Sequence, residues 1–459
     1  MVKNICCIGA GYVGGPSMAV MADHSPGVDI HVVDLDQQRI DAWNNLNNAP
    51  LPVYEPGLDD VLNRVRGRNL HFSTDVGNAI GNADMVFLSV NTPTKLQGLG
   101  AGSASDLTYI EKAARQIAES ARGSTIVVER STLPVRTADG LGKILRQGHG
   151  CHFEILSNPE FMAEGTAIDD LQNPDRVLVG GHCNSAVQEL AGIYGNWVDE
   201  ERIITTNLWS AELAKLTSNA FLAQRISSIN AIAGLCEATG ADVEEVCLAI
   251  GADRRIGSEF LRPGPGFGGS CFKKDLLNLI YLAEHYGLEE VARYWRSVVD
   301  INGWSQKRIS QMIVKSLFGT LRDKRIAVLG FAFKADTNDT RESPSIDICR
   351  DLLHDGASLG IHDPRVGEDA IAQLLTKAEN GAQAAGTYQK VSSVERACDG
   401  ADAVLILTDW REYRQLNWTD LSSRMRRPGW VFDTRRGTNL GEAAAQGLET
   451  WEIGRGGLH

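Results

Sequence analysis

The 459-residue chain is 43% apolar and carries a formal net charge of −13, so it is long enough for two or three domains with substantial buried cores. The acidic balance argues against nonspecific binding to nucleic acid or to anionic membranes, because both need a basic surface. A ligand that carries phosphate stays compatible with this charge, since a local basic pocket can form on an acidic protein.

No stretch approaches the roughly 20 uninterrupted apolar residues of a membrane helix. The N-terminus runs directly into a strand and a glycine loop, without a separate apolar region and cleavage site, so no secretory signal is predicted. The nine cysteines are scattered and odd in number, which favours neither a disulfide framework nor a zinc site. We therefore expect a cytoplasmic protein with reduced thiols and no bound metal.

Strand-like apolar runs alternate with helical stretches through the first part of the chain, as in a parallel sheet with helices on both faces. The predicted strands there are residues 4–8, 29–33, 85–90, 125–129 and 177–180. Helical spacing without proline then predicts one long helix over 210–240, followed by helices around 275–286 and 291–317. Strand-and-turn alternation restarts at 325–330 and continues at 358–362, 403–407 and 430–432.

This order predicts an α/β fold class, with two Rossmann-like parallel-sheet domains joined by a long central helix and a helical region. The predicted domain boundaries divide the chain into residues 1–206, 207–320 and 321–459. No short-period repeat, low-complexity tract or long linker interrupts them.

Residues 9–14 read GAGYVG and lie directly after a predicted strand and before a helical stretch. In a dinucleotide-binding loop, Gly9 allows the tight turn, Gly11 lets the backbone approach the pyrophosphate, and Gly14 lets helix and strand pack closely. Asp34 follows 20 residues after Gly14, where an acidic residue binds the ribose 2′-hydroxyl and repels a 2′-phosphate. This spacing favours NAD over NADP. The alternative is a glycine turn with an incidental acidic residue at a strand end.

Residues 264–275 read GPGFGGSCFKKD, a glycine-rich loop that leads into helical periodicity. The pattern predicts that Cys271 lies in the first turn of a helix, where the helix dipole and free N–H groups favour a thiolate. Asp275 follows one turn later on the same face. A thiolate beside a carboxylate suits covalent oxidation of an aldehyde to an acid. A buried cysteine that caps a glycine-rich loop is the alternative, and the commoner role for a cysteine taken alone.

The predicted long helix carries Glu212, Lys215 and Asn219 at spacings of three and four residues among apolar neighbours. These residues form a narrow polar stripe. A lysine in such a stripe is either a site group or a surface residue whose apolar stem lies on the helix. By spacing alone, the surface interpretation of Lys215 is preferred.

Several motifs together resemble the UDP-glucose 6-dehydrogenase family, within the UDP-glucose/GDP-mannose dehydrogenases, and its animal and plant branch in particular. The resemblance runs nearly end to end. Besides the glycine loop and the Lys215/Asn219 helix, it rests on VNTPT at 90–94, ERST at 129–132, NPEFMAEG at 158–165, residues 266–275 and GFAFK at 330–334.

The resemblance implies a set of residues for each part of the site. The implied catalytic residues are Cys271, Lys215, Asp275, Glu160, Thr132 and Asn219. NAD is expected at Gly9, Gly11, Tyr12, Val13, Gly14, Asp34, Arg39, Asn91, Thr92, Ser131, Thr132, Glu164 and Arg341. The nucleotide sugar is expected at Glu160, Phe161, Met162, Lys215, Asn219, Arg255, Phe260, Arg262, Phe267, Phe272, Phe333, Lys334 and Arg436.

The activity implied is oxidation of the C6 alcohol of UDP-glucose to the carboxylate in two hydride transfers to NAD. Cys271 would be the nucleophile that forms a thiohemiacetal and then a thioester, with Lys215 and Asn219 stabilising the oxyanion. Asp275 and Lys215 would be its acid/base and electrostatic partners, and Thr132 and Glu160 would order water and substrate.

The resemblance also implies domain roles and an assembly. The three predicted domains would bind NAD, form the helical dimerisation region and bind the nucleotide sugar, in chain order. Arg255 would reach into the site of a partner subunit, so a homodimer is the minimum unit expected, and the animal enzymes of the family are hexamers.

Two departures from the family pattern affect the choice of base more than the chemistry. Residues 262–265 read RPGP where a lysine-led segment is expected, and Thr434 stands where a glycine is expected. The same chemistry on dTDP-glucose or UDP-N-acetylmannosamine is therefore the alternative. The nearest enzymatic rivals are dehydrogenases for GDP-mannose or UDP-N-acetylmannosamine, and the β-hydroxyacid dehydrogenases are a further rival that does not need Cys271. A catalytically silent nucleotide-sugar sensor is the rival from another functional class.

Overall fold

The computed structural model describes residues 2–45, 50–147, 150–376 and 385–456. The chain forms two compact units. The first unit comprises Met1–Ser218 and Leu277–Tyr286, and the second comprises Asn219–Leu276 and Gly287–His459. Each unit contains one β-sheet, and the division falls inside helices rather than in loops.

The sheet of the first unit has eight strands in the order β3-β2-β1-β4-β5-β6-β7-β8. Neighbouring strands are parallel except for β6 and β7, which run antiparallel. The strands are β1 (Asn4–Ile8), β2 (Asp29–Val33), β3 (Leu70–Ser73), β4 (Met85–Leu88), β5 (Thr125–Glu129), β6 (Phe153–Ser157), β7 (Val177–Gly181) and β8 (Ile203–Thr206).

Helices connect these strands and bury apolar side chains against the sheet. They are α1 (Gly14–His24), α2 (Gln37–Trp43), α3 (Leu58–Val65), α4 (Val76–Gly81), α5 (Thr108–Ser120), α6 (Thr137–Leu145), α7 (Ala167–Gln172) and α8 (Asn184–Tyr194). The first nine residues of α1 are all buried. It packs so closely that a side chain at Gly15 would overlap the ring of Trp43.

The sheet of the second unit has six parallel strands in the order β11-β10-β9-β12-β13-β14. They are β9 (Arg325–Leu329), β10 (Ser358–His362), β11 (Thr387–Lys390), β12 (Ala403–Ile406), β13 (Trp430–Asp433) and β14 (Glu449–Glu452). Both sheets reverse their strand order beside a central strand, at β1/β4 and at β9/β12. Ligands of open α/β sheets bind at the carboxyl ends of the strands at such a reversal.

A 32-residue helix, α9 (Leu208–Thr239), crosses from one unit into the other at Ser218. It is followed by α10 (Val243–Gly251), α11 (Phe272–His285) and α12 (Glu289–Ser316). The shorter helices of the second sheet are α13 (Pro344–His354), α14 (Glu368–Leu375), α15 (Val394–Cys398), α16 (Trp418–Arg424) and α17 (Leu440–Ala445). Within the second unit, α9 and α12 join the core of the six-stranded sheet through Ile229, Ala233, Ile309 and Ile313.

The predicted α/β fold class is confirmed, including both sheets and the long central helix. Five strands were not predicted: β3, β6, β8, β11 and β14. Each has only four or five residues and mixes polar with apolar positions, so none produces a continuous apolar run. The antiparallel β6–β7 pair was not predicted either, because periodicity does not report strand direction.

No helix in the described part of the chain is long and apolar enough to cross a membrane. No disulfide joins any of the cysteines there, and all nine lie in described residues.

Candidate active site

In the first unit, the residues predicted to bind NAD follow the carboxyl ends of adjacent strands. The GAGYVG loop follows β1, Asp34 follows β2, Asn91 and Thr92 lie shortly after β4, and Ser131 and Thr132 follow β5. Because parallel strands end at the same edge of a sheet, these segments meet at the β1/β4 reversal. The segments predicted to bind NAD in the first unit therefore lie together at one edge of its sheet.

The glycine loop has the geometry that a close-approaching backbone requires. Gly9 has φ +109°, and a side chain there would overlap the backbone oxygen of Ser89. A side chain at Gly14 would overlap the backbone oxygen of Gly9, whereas nothing lies within 4 Å of the position that a Gly11 side chain would take. Two glycines therefore allow tight packing, and Gly11 leaves open space beside the N-terminus of α1, as a pyrophosphate needs.

The Asp34 carboxylate links the glycine loop to α2. Its Oδ2 accepts hydrogen bonds from the Ala10 backbone N–H at 3.0 Å and from Arg39 at 2.9 Å. Trp43 braces the same loop by donating its indole N–H to the Ala10 carbonyl at 2.8 Å. Asp34 is thus held beside the loop at the place where the ribose of a dinucleotide is bound in this fold.

The loops after β4 and β5 are tied together by two hydroxyl groups. Thr92 donates to the Thr132 carbonyl at 3.1 Å, and Ser131 donates to the Val90 carbonyl at 2.6 Å. Ser131 and Thr92 are buried, and Asn91 is exposed. The structure therefore brings Thr92, Ser131 and Thr132 together.

A buried carboxylate that the sequence analysis did not single out joins two predicted NAD-binding segments. Glu55 accepts a hydrogen bond from the Tyr12 hydroxyl, and it also accepts from the backbone N–H groups of Gly165 at 2.7 Å and Ala167 at 3.0 Å. Burial and this contact raise the pKa of Tyr12. In sequence, Glu55 precedes a Pro-Gly turn, a position typical of a surface loop. The only sign of a buried role was that neither residue next to this acidic residue is charged.

Lys215 is buried, so the interpretation of this lysine as a surface residue was wrong. Its side chain is 5% exposed and lies 3.3 Å from Oε1 of Glu160, whose side chain is 7% exposed. The other oxygen of Glu160 accepts from the Met162 N–H at 3.0 Å. The Lys215 ammonium also lies 5.3 Å from the centre of the Phe161 ring, over which Arg176 stacks at 3.9 Å. Tertiary contacts with the segment after β6 cover this part of α9.

One turn before Lys215, Glu212 anchors α9 to the segment after β5. Its carboxylate accepts from the backbone N–H groups of Arg136 at 2.8 Å and Ala138 at 3.0 Å. Glu129, the last residue of β5, is buried beside it. Burial raises the pKa of both carboxyl groups, and the charge of Glu212 raises that of Glu129 further. The pair therefore favours a state in which one carboxyl keeps its proton.

In the second unit, Cys271 lies immediately before α11 rather than in its first turn as predicted. Its carbonyl accepts from the Asp275 N–H at 2.9 Å, so Cys271 occupies the N-cap position. Residues 269–271 form a bend in which Gly269 has φ +85°, so the helix begins one residue later than the periodicity suggested. The Cys271 side chain is exposed, with the Ser270 hydroxyl 3.4 Å from its sulfur.

Asp275 and Asn219 form a buried polar pair. Nδ2 of Asn219 donates to Oδ2 of Asp275 at 2.6 Å, and both side chains are buried. The Lys274 ammonium lies 3.6 Å from the other oxygen of Asp275. Asn219 lies one turn after Lys215 on α9, so both side chains are on the same face of the helix.

Aromatic side chains surround the glycine-rich loop. The rings of Phe267 and Phe260 meet the ring of Phe272 edge-on, with centroids 6.0 and 6.4 Å away. A side chain at Gly268 would overlap the Glu342 carbonyl, and one at Gly269 would crowd the Phe333 ring at 3.1 Å. The loop therefore depends on glycine to lie against the segment after β9.

Arg435, which was not predicted as a site residue, faces the same segment. It donates to the Leu407 carbonyl at 2.7 Å and to the Phe333 carbonyl at 3.2 Å. Burial lowers the pKa of Arg435 to about 10. Lys334 directly follows Phe333 in sequence, and its ammonium lies 5.5 Å from the centre of the Phe333 ring. Arg435, Phe333 and Lys334 thus lie near the β9/β12 reversal.

Arg436, which follows Arg435 and was predicted to bind the substrate, lies in a different environment from Arg435. The Arg436 side chain is 10% exposed and contacts carboxylates of Asp242 at 3.1 Å, Glu244 at 3.1 Å and Glu452 at 3.3 Å. The chain bends at residues 434–436, where Arg436 has φ +52°, and the Arg436 side chain points to the start of α10.

The remaining predicted arginines are exposed, and each lies beside an acidic residue. Arg255 contacts Asp253 at 2.7 Å, Arg262 contacts Asp409 at 3.3 Å, and Arg341 contacts Asp339 at 2.6 Å. The Arg341 carbonyl also accepts from the Gly269 N–H at 2.8 Å, which ties Arg341 to the glycine-rich loop.

Comparison with known proteins gives the same family along the whole chain. Residues 3–198 match the NAD binding domain of the UDP-glucose/GDP-mannose dehydrogenase family, residues 209–304 match its central domain, and residues 327–439 match its UDP binding domain. The chain is 52% identical over 471 residues to UDP-glucose 6-dehydrogenase 5 of Oryza sativa subsp. japonica, covering 99% of this chain and 97% of that one. It is 51% identical to UDP-glucose 6-dehydrogenase 4 of Arabidopsis thaliana, with the same coverage.

Solved structures agree. A UDP-glucose dehydrogenase from Pyrobaculum islandicum aligns with a TM-score of 0.85 and 30% identity over 100% of this chain and 98% of that one. A UDP-D-ManNAc dehydrogenase from Pyrococcus horikoshii aligns with a TM-score of 0.82 and 26% identity over 99% and 100%. The chain therefore belongs to the UDP-glucose/GDP-mannose dehydrogenase family.

Proposed function

We propose that this protein is an NAD-dependent UDP-glucose 6-dehydrogenase that oxidises UDP-glucose to UDP-glucuronate. The observation that carries the proposal is the 52% identity to plant UDP-glucose 6-dehydrogenases over 99% of the chain. Identity at this level along the whole length includes the substrate-binding as well as the cofactor-binding part of the chain.

The first unit fits NAD on its own geometry. Gly11 leaves open space beside the N-terminus of α1, and the Asp34 carboxylate is held next to it by Ala10 and Arg39. When bound, NAD would supply the acceptor for the hydride that leaves C6 in each of the two oxidation steps. Asp34 would accept a hydrogen bond from the ribose 2′-hydroxyl and would repel the 2′-phosphate of NADP.

Lys215 and Glu160 supply the charges for the first oxidation in this proposal. The 3.3 Å pair holds the Lys215 ammonium in place where little water reaches it, so its charge acts strongly on an alkoxide or a carbonyl oxygen. Glu160 is itself fixed by the Met162 N–H. Together they orient the C6 oxygen and stabilise negative charge on it as its proton passes to water.

Cys271 performs the covalent step. Its sulfur adds to the aldehyde carbon, the carbonyl π-bond becomes an oxyanion, and the product is a thiohemiacetal. Lys215 and Asn219 stabilise that oxyanion. Loss of hydride leaves a thioester, and water activated near Asp275 cleaves the carbon–sulfur bond to release the carboxylate and restore the thiol.

The decisive test is NADH production by the purified protein with UDP-glucose, dTDP-glucose, UDP-N-acetylmannosamine and GDP-mannose. We expect the highest kcat/KM with UDP-glucose, two NADH per sugar and UDP-glucuronate as product. One NADH per sugar, or a higher kcat/KM with another nucleotide sugar, would overturn the proposal. No turnover with any of the four substrates would favour a sensor that does not catalyse.

We also propose a homodimer as the minimum unit. Arg255 is 83% exposed at its side chain, as expected of a residue that reaches a partner's site. Large apolar side chains on α9 and α10, Phe221, Leu235 and Leu248, are also exposed, which is typical of a surface that a partner covers. Mixed dimers of an Arg255→Ala chain and a Lys215→Ala chain should recover activity through hybrid sites. No recovery in verified mixed dimers would count against a site shared between subunits.

The division into domains at 1–206, 207–320 and 321–459 is likewise proposed, and the three family matches, whose gaps fall near those boundaries, support it. A cytoplasmic location is proposed because none of the nine cysteines takes part in a disulfide within the described residues.

A further inference from the structure

A cluster of two histidines and one aspartate lies on β2 and β3, outside the residues that serve the proposed reaction. His31 and His71 are register partners on these adjacent parallel strands, and Asp29 precedes His31 by two residues. Since side chains alternate along a strand, Asp29 and His31 point to the same face of the sheet. Strand pairing thus fixes the backbone positions of Asp29, His31 and His71 relative to one another.

The side chains converge on one carboxylate. Nε2 of His71 lies 3.0 Å from Oδ1 of Asp29, and Nε2 of His31 lies 3.4 Å from Oδ2. The two imidazole rings stack with centroids 4.9 Å apart. One ligand atom from each residue can be chosen so that all three lie within 4.8 Å of one another.

These separations suit a small divalent metal ion. Ligands placed about 2.0–2.2 Å from a tetrahedral zinc ion lie about 3.3–3.6 Å from each other. The His31–Asp29 separation of 3.4 Å lies within that range and the His71–Asp29 separation of 3.0 Å is slightly shorter, so the side chains would have to move apart a little to admit an ion. Two neutral imidazoles and one carboxylate are also a donor set that zinc and neighbouring transition metals prefer.

We propose that Asp29, His31 and His71 bind a divalent transition-metal ion such as Zn²⁺, with water completing its coordination. The three side chains are 38–47% exposed, so an ion can enter and keep water ligands. The ion would link the edge strand β3 to β2. Asp34 follows His31 by three residues and lies just after the end of β2, about 10 Å further along the extended chain, so the ion would brace this strand without contacting the carboxylate proposed to bind the ribose.

The test is calorimetric titration of the metal-free full-length protein with Zn²⁺. Other groups, including cysteine thiols, also bind Zn²⁺, so the readout is the difference between matched variants. Wild type should bind one more Zn²⁺ per chain than His31→Gln, His71→Gln or Asp29→Asn. The loss of one ligand should weaken this site by at least the roughly 10- to 100-fold that loss of a group supporting a ligand costs.

His152→Gln is the control, because His152 contacts one carboxylate, Glu154, at 2.8 Å and belongs to no group of three potential metal ligands among the described residues. It should keep the wild-type stoichiometry. Equal stoichiometry and affinity in wild type and all the cluster variants would overturn the proposal, and so would an equal loss in His152→Gln. Far-UV circular dichroism verifies that every variant is folded.

Thermal unfolding supplies a second, independent measurement. Zn²⁺ that binds the folded protein raises the unfolding midpoint, so it should raise the midpoint of wild type and His152→Gln more than that of the three cluster variants. If Zn²⁺ shifts all of these midpoints equally, the cluster is a hydrogen-bonded His–Asp–His group and not a metal site.

Discussion

Asn219 and Asp275 share a 2.6 Å hydrogen bond between buried side chains, one on α9 and the other on α11. The bond fixes which way the Asn219 amide faces, because its N–H group must point to the carboxylate. Asp275 in turn is held by a backbone hydrogen bond to the carbonyl of Cys271. Two hydrogen bonds thus connect Cys271, Asp275 and Asn219, which are the proposed nucleophile, the carboxylate proposed to activate water and the amide proposed to stabilise the oxyanion.

Replacing Asn219 with aspartate should place two carboxylates within hydrogen-bond distance in a buried site. One of them must then keep its proton, so its pKa in the folded protein rises above the value in the unfolded chain. A raised carboxyl pKa favours the folded state at low pH, and that contribution is lost as pH rises through the window above about pH 4. Urea unfolding of Asn219→Asp should therefore show a free energy of unfolding, relative to wild type, that falls from pH 5 to pH 8.

Asn219→Ser is the control for this effect, since it shortens the side chain without adding a charge. Its stability difference from wild type should not change over the same pH interval. A parallel pH dependence in both variants would mean that the carboxylate pair is not the cause.

Cys271→Ala should still permit alcohol-to-aldehyde hydride transfer, because that step needs no covalent bond. The second oxidation should slow by orders of magnitude, since the aldehyde has no thiol with which to form a hydride-donating adduct; a hydrated aldehyde could bypass this slowly. NADH per sugar, measured with trapping of free aldehyde, should fall from two towards one. Cys183→Ala, which removes another accessible thiol, should behave as wild type. Acid formation at near wild-type rate by Cys271→Ala would show that the nucleophile lies elsewhere.

Cys271→Ser is a different experiment. A hydroxyl is a poorer nucleophile than a thiol, and an ester formed from it should hydrolyse slowly. Mass spectrometry of this variant after incubation with UDP-glucose and NAD should detect a covalent sugar adduct on the peptide that contains residue 271.

Asp34→Ala should weaken NAD binding and reduce discrimination against NADP. The ribose 2′-hydroxyl loses its acceptor, the 2′-phosphate loses its repulsion, and Arg39 loses its 2.9 Å partner and becomes available to a phosphate. The measurement is kcat/KM with each cofactor at saturating sugar. Asp41→Ala, further along α2, is the matched control. An unchanged ratio of the two kcat/KM values would refute the role assigned to Asp34.

Glu55→Ala should raise the KM for NAD and also reduce stability. Two backbone N–H groups, of Gly165 and Ala167, lose their acceptor, at about 1–3 kcal/mol for each one left buried and unpaired. Tyr12→Phe should affect the NAD KM with a smaller loss of stability, because only the hydroxyl contact disappears. Steady-state kinetics and urea unfolding separate the two effects. Glu111→Gln, an exposed carboxylate, should change neither.

Replacing Arg435 with alanine should affect mainly substrate binding, whereas replacing Arg436 with alanine should affect mainly the stability of the fold. Arg436→Ala removes the cation that Asp242 and Glu452 share, so it should destabilise the fold, though by less than the roughly 3–5 kcal/mol of a fully buried pair, because Asp242 is 26% exposed and Glu452 also contacts Arg455. Arg435→Ala should chiefly raise the KM for the nucleotide sugar, because Arg435 lies against the segment that carries Phe333. Substrate kinetics and thermal unfolding of both variants distinguish these outcomes. A larger KM effect for Arg436→Ala than for Arg435→Ala would support the prediction, made from the sequence, that Arg436 binds the substrate.

Features that depend on neighbours in sequence were predictable from the chain alone. The GAGYVG loop, the strand before it and the spacing to Asp34 are local, because a tight turn, a helix N-terminus and a strand end are built from adjacent residues. The central helix followed from its spacing and lack of proline. The position of Cys271 was predictable to within one residue for the same reason.

What the tertiary structure decided depends on residues far apart in the chain. The burial of Lys215 follows from its contact with Glu160 and Phe161 after β6, and the role of Glu55 from backbone groups more than 100 residues away. His31 and His71 become a cluster only through the register of β2 and β3. Periodicity describes one face of one element, whereas burial and charge pairing arise when two elements pack, and no local pattern specifies which two those are.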